Sequence, residues 1–90
     1  MVLVTGATGF IGSNLMCKLA KDNVFPVALF RHESNKERVW KLFKSNFSDA
    51  KARFEKITWR KADFRNYPSL SAAFKDITYV YHCAGFISLS

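Results

Sequence analysis

Along this chain of 90 residues the hydrophobic period changes repeatedly, and each change marks an element. Met1 to Thr5 is a short β-branched apolar run, which predicts a strand buried on both faces and stopping at Gly6. From Gly9 to about Lys21, Ile11, Leu15 and Leu19 recur with Met16 and Ala20 beside them, so the spacing predicts a helix with that face inward. Val24 to Phe30 reads as a second strand, with Pro26 near its start, where a missing donor is tolerated. Ser34 or Asn35 is placed to cap a helix through about Lys44, in which Val39, Trp40 and Phe43 share a face and Lys36, Arg38, Lys41 and Lys44 fill much of the rest. Between Ser45 and Glu55 the pattern is weak, with Ser48 or Asp49 able to cap a short helical turn carrying Ala52 and Phe54. Ile57 to Ala62 predicts a third strand ending near Asp63. Pro68 suits the first position of a helix whose stripe is Leu70, Ala73 and Phe74, ending before Asp76, and Ile77 to His82 predicts a fourth strand.

Strands alternating with helices in the order βαβαβαβ require right-handed crossovers and a parallel sheet. The expected class is therefore α/β, the amino-terminal portion of a Rossmann-type doubly wound parallel sheet with strand order 3-2-1-4, whose ligands bind beyond the carboxyl ends of the strands. Residues 1–90 are expected to be the amino-terminal part of one such doubly wound domain, truncated after its fourth strand.

Composition narrows the choice. With 49% hydrophobic and 23% charged residues the chain reads as an ordinary soluble globular sequence. No apolar run approaches the roughly 20 residues a membrane-spanning helix needs. The apolar start lacks the basic region of a signal peptide, which points to a cytoplasmic chain without a membrane partner. Cys17 and Cys83 stand too far apart for a disulfide framework or a C-x-x-C motif and are expected reduced and buried, and no spaced Cys/His/Asp cluster suggests a metal. The net charge of +7 is concentrated between Arg31 and Arg65. It could serve nucleic acid, a membrane surface or a phosphorylated small molecule, and charge alone does not choose.

The glycine turn does choose. Thr5-Gly6-Ala7-Thr8-Gly9-Phe10-Ile11-Gly12 spaces its glycines by three, directly between the first strand and the first helix. Gly6 permits a tight turn, Gly9 lets a diphosphate approach the backbone, and Gly12 lets the helix pack on the strand. Amides at the helix start and the positive end of its dipole then favour a pyrophosphate. With Thr5 before it the turn resembles the TGxxGxxG element of the short-chain dehydrogenase/reductase superfamily. Lys61-Ala62-Asp63-Phe64 is similar to the superfamily's acidic-plus-hydrophobic element that holds the adenine ring, and Tyr81-His82-Cys83-Ala84-Gly85 to the H-x-A-A/G element of its extended branch. The resemblance covers essentially the whole chain and is nearest to the dihydroflavonol reductase and NAD-dependent epimerase/dehydratase groups. It implies a nicotinamide dinucleotide held by Thr5, Gly6, Thr8, Gly9, Phe10, Ile11, Gly12, Arg31, Asp63, Phe64, Ala84 and Gly85.

Arg31 follows the second strand, where a carboxylate would accept from a ribose hydroxyl and an arginine accommodates a 2′-phosphate. NADP is accordingly expected over NAD, with Lys36 as a second cation and Glu33 as the competing group that would favour NAD. The superfamily's catalytic Tyr and Lys four residues apart are absent, since Tyr67, Tyr79 and Tyr81 are followed at that interval by Ser71, Cys83 and Gly85, and no catalytic residue is assigned. His82 is expected to be a buried, hydrogen-bonded strand residue.

The function expected is the cofactor-binding portion of an NADP-dependent oxidoreductase acting by hydride transfer on a carbonyl or hydroxyl group of an unidentified small molecule. A sugar-nucleotide epimerase/dehydratase and a non-catalytic dinucleotide sensor are the alternatives. Nucleic-acid binding through the basic helix is disfavoured because Trp40 and Phe43 share the inward face with Val39. The oligomeric state is left open, a homo-oligomer included.

Overall fold

The structure, a computed structural model, describes residues 1–63 and 65–83. Four strands, β1 (Val2–Thr5), β2 (Val27–Phe30), β3 (Thr58–Lys61) and β4 (Tyr79–His82), form one parallel sheet in the order β3-β2-β1-β4. Between them run α1 (Phe10–Lys21), α2 (Lys36–Asn46) entered through a 3-10 turn at Glu33–Asn35, α3 (Ala50–Phe54) and α4 (Tyr67–Ala73). The expected order and class are those observed.

Alternation along the strands divides the core between the two faces of the sheet. Val4 and Ala28 face a cluster built from Met16, Cys17, Ala20, Val39, Phe43 and Ala50 of α1, α2 and α3. Leu3, Val27 and Leu29 face the opposite way, onto Ala73 and Leu70 of α4. Aromatic rings knit the larger layer, with Phe54 lying 5.1 Å from Trp40, 5.8 Å from Phe43 and 5.9 Å from Trp59.

Local chemistry explains where the elements end. At the end of α1, Asn23 takes a left-handed φ of 59°, the Val24 amide donates to the Leu19 carbonyl and the Asn23 amide to that of Ala20, which is the paired closure of a Schellman stop. Arg53 Nη1 donates to the same Ala20 carbonyl at 2.6 Å and ties α3 to that end. The α4 start is fixed by Asn66, whose side-chain oxygen accepts from the Ser69 amide at 3.1 Å, with Pro68 in the first turn.

Four expectations are corrected. Ile11 is 68% exposed, because Gly12 and Ser13 rather than a large side chain face the sheet where α1 crosses it most closely. Strand β2 begins at Val27, after Pro26, whose missing N–H cannot join the ladder. Asn35 makes no side-chain capping bond, since it already has helical φ and ψ at the end of the 3-10 turn. His82 lies exposed and Cys83 half-buried, because β4 forms one edge of the sheet. Among the described residues no helix is long and apolar enough to cross a membrane.

Candidate functional site

Because all four strands are parallel, their carboxyl ends lie along one edge and bring Gly6, Arg31, Asp63 and Cys83 to the same side. The turn from β1 to α1 lies on the inner strands of that edge. Gly6 has φ 66°, a left-handed conformation that a Cβ would strain, and its carbonyl accepts the Gly9 amide at 3.0 Å. Gly12 packs directly on that bend: a Cβ there would stand 1.9 Å from the Gly6 oxygen and 2.8 Å from Ala7 Cα, so only glycine fits. Gly9 is different. A Cβ on it would meet only the Gly6 oxygen, at 3.4 Å, ordinary contact, and the residue itself is exposed.

The first hydrogen bond of α1 runs from the Ser13 amide to the Gly9 carbonyl at 2.9 Å. The amides of Phe10, Ile11 and Gly12 precede it and have no backbone acceptor among the described residues. Three donors at the positive end of a helix of 12 residues, with no acidic side chain in the first turn, form a cradle suited to an anion. The residues therefore fit the diphosphate of a dinucleotide. Phe10 is 74% exposed, while its carbonyl is occupied by Ser13 Oγ at 3.1 Å and Asn14 Nδ2 at 2.8 Å.

Thr5, buried beneath the turn, meets His82 across the β1–β4 pair, with Oγ1 2.8 Å from Nδ1. The Cys83 amide donates to the Thr5 carbonyl at 3.1 Å and carries the ladder one residue beyond β4. His82 is thus hydrogen-bonded as expected, to buried Thr5, but from an exposed position on the edge strand. Burial pushes the thiols of Cys17 and Cys83 up from their ordinary value, with Lys21 partly opposing this at Cys17.

At the ends of β2 and β3, Arg31 Nη2 stands 3.9 Å from Asp63 Oδ2, its side chain half exposed. Asp63 is held more closely by Arg65, whose Nη2 lies 3.0 Å from Oδ2 and whose backbone amide and Nε donate to Oδ1 at 2.9 and 3.2 Å. Lys36 does not join Arg31. Its ammonium pairs with Glu33 at 3.0 Å and sits 4.1 Å above the Phe30 ring. Glu33 is accordingly engaged by a cation rather than presented alone to a ribose hydroxyl.

A cleft of about 640 Å³ opens between the glycine turn and α2, lined by Thr8, Phe10, Asn14, Ser34, Arg38 and Lys41 among others. The hydrophobic pattern places Arg38 and Lys41 on a solvated outer face; their spacing of three on α2 stacks them on one side of the helix, which the structure turns to this cleft. Thr5, Gly6, Thr8, Gly9, Phe10, Ile11 and Gly12 are brought together in one turn, and Arg31 and Asp63 pair beside it. Phe64, Ala84 and Gly85 lie outside the described residues. Among the described residues no group of three metal-ligating side chains occurs.

Comparison with known proteins agrees with this geometry. The profile of the family described as "NAD dependent epimerase/dehydratase family" matches residues 2–90. A UDP-glucose 4-epimerase of Rickettsia bellii (strain OSU 85-389) is 28% identical over 87 residues, covering 92% of this chain and 23% of that protein. A second UDP-glucose 4-epimerase, from strain RML369-C, is 26% identical over the same shares. Among solved structures, vestitone reductase from alfalfa (Medicago sativa L.) superposes with a TM-score of 0.63 at 29% identity, covering 96% of this chain and 25% of that one. The chain thus spans about a quarter of the length of these relatives. With the glycine turn, the strand order and a family match across nearly all of its residues in agreement, this chain belongs to the NAD dependent epimerase/dehydratase family, in the extended branch of the short-chain dehydrogenase/reductases.

Proposed function

We propose that the chain is the dinucleotide-binding portion of an NADP-dependent oxidoreductase that transfers hydride to or from a carbonyl or hydroxyl substrate. The observation that carries the reading is the cradle at the start of α1, where Gly12 has no room for a Cβ and three amides precede the first helical bond. When bound, the nicotinamide supplies the hydride; the residues of this chain bind and orient. Phe10, Ile11 and Gly12 donate main-chain N–H groups to the diphosphate, with Thr8 and Phe10 beside it. Asp63 accepts from the adenine amino group through the one lone pair on Oδ2 that Arg65 leaves open. Arg31 supports the preference for NADP, because its half-exposed guanidinium at the end of β2 offers a two-pronged donor to a 2′-phosphate.

Titration with NADPH and NADH, followed by cofactor fluorescence, tests this. Arg31→Glu is expected to weaken NADPH binding by about tenfold or more, the cost of replacing one charge-assisted pair by a repulsion, and to leave NADH within a small factor. Equal losses for both cofactors contradict phosphate recognition by Arg31. The names of the Rickettsia relatives favour a second reading, epimerisation of a sugar nucleotide. In an enzyme that carries this portion together with catalytic residues, net oxidation of NADPH with a carbonyl substrate supports the reductase; conversion of a sugar nucleotide with no net change in cofactor supports the epimerase.

A further inference from the structure

The Asp63 carboxylate poses a problem for the site just proposed. It lies 3.9 Å from the Arg31 guanidinium, close enough to compete with a phosphate for that group and to repel the phosphate itself. Arg65 holds it instead. Three contacts of 2.9, 3.2 and 3.0 Å occupy both carboxylate oxygens, whereas the Arg31 approach is longer than a hydrogen bond. The Asp63 backbone is fixed as well, since its amide donates to Ser69 Oγ at 3.4 Å in the first turn of α4. The carboxylate is thus held at the end of β3 and turned into the Arg65 fork.

We infer that Arg65 is a positioning residue for cofactor choice: by engaging the Asp63 carboxylate it leaves the Arg31 guanidinium available to a phosphate and offsets the negative charge beside it. The inference rests on the proposed NADP preference and adds a residue that need not touch the cofactor. Without the Arg65 guanidinium, Asp63 would keep the backbone amide on Oδ1 at 2.9 Å but lose the side-chain donors at 3.2 and 3.0 Å, and the freed Oδ2 would draw Arg31 in to hydrogen-bond distance, about 2.8 Å for such a pair. The side chain that reads the 2′-phosphate would then be withdrawn, while contacts shared by NADP and NAD would remain.

The test is a double-mutant cycle read as the ratio of NADPH to NADH affinity. Arg65→Ala is expected to lower that ratio about threefold to fivefold, the scale of one exposed charge interaction, with NADH affinity nearly unchanged. In an Asp63→Asn background the same substitution is expected to leave the ratio where it was, because the carboxylate it restrains is gone. A fall of equal size in both backgrounds would show Arg65 acting on the phosphate directly, and no fall in either would show that it has no part in the choice; each overturns the inference. Arg31→Glu serves as the control. If it abolishes the preference while Arg65→Ala does not, the inference alone fails; if the unaltered chain shows no preference for NADPH, the underlying reading fails with it.

Discussion

Gly9 and Gly12 belong to one motif but do different physical work, and substitution separates them. Gly12→Ala drives a methyl group into the Gly6 carbonyl and the Ala7 backbone, none of which can rotate away. A loss of about 3 kcal/mol in stability, at the upper end for overpacking, is expected in urea denaturation. Gly9→Ala meets ordinary contacts, so its denaturation midpoint is expected to change little, within about 1 kcal/mol for an altered N-cap, while cofactor affinity falls because the methyl group enters the cradle. Equal stability losses for the two would contradict this division. The buried thiol of Cys17 gives a pH-dependent prediction. Burial raises its folded pKa above the ordinary 9.0, so the folded chain holds that proton more tightly than the unfolded one. The contribution to stability is complete below that value and is lost as pH rises through the folded pKa. Cys17→Ala is therefore expected to show a smaller drop in urea midpoint between neutral and alkaline pH than the unaltered chain.

At the level of elements, the largest fully buried side chain among the described residues is Phe43, which joins α2 to Phe47 and to Phe54 of α3. Phe43→Ala is expected to cost about 3 to 5 kcal/mol, the range for emptying an aromatic core position, measured by chemical denaturation. The strands and α1 were legible in the sequence because their apolar runs are bounded by residues such as Gly6 and Arg31, which stop an element for steric or solvation reasons; Pro26, read as lying within the second strand, instead precedes it. The glycine turn was legible for the same reason, since its three positions have separate backbone duties. What pattern could not give was orientation set by neighbours. Ile11 matched the inward stripe of α1 but faces solvent, because Gly12 brings the helix so close to the Gly6 bend that a bulky side chain has no place between them. His82 followed apolar Val80 and Tyr81 and looked interior, yet its strand closes one side of the sheet. The Arg65 grip on Asp63 was equally hidden, since nothing in two charges flanking Phe64 says which way either turns.

On the scale of the whole chain, a parallel sheet aligns four strand ends in a molecule that carries a net charge of +7. That field favours an anionic ligand and is screened by salt, with a Debye length of about 10 Å at 0.1 M. The sheet supplies alignment, the helix start supplies donors, and the arginines near the ends of β2 and β3 supply charge; none of these alone selects a dinucleotide. Their convergence rests on main-chain amides at the start of α1 taking up the paired phosphates. The most direct measurement is a two-dimensional amide NMR titration of the isotope-labelled chain with NADPH. The account predicts that the amide resonances of Gly9, Phe10, Ile11 and Gly12 shift most and together, with those near Arg31 and Asp63 following. Saturable binding that leaves those four resonances in place while shifting others would contradict it.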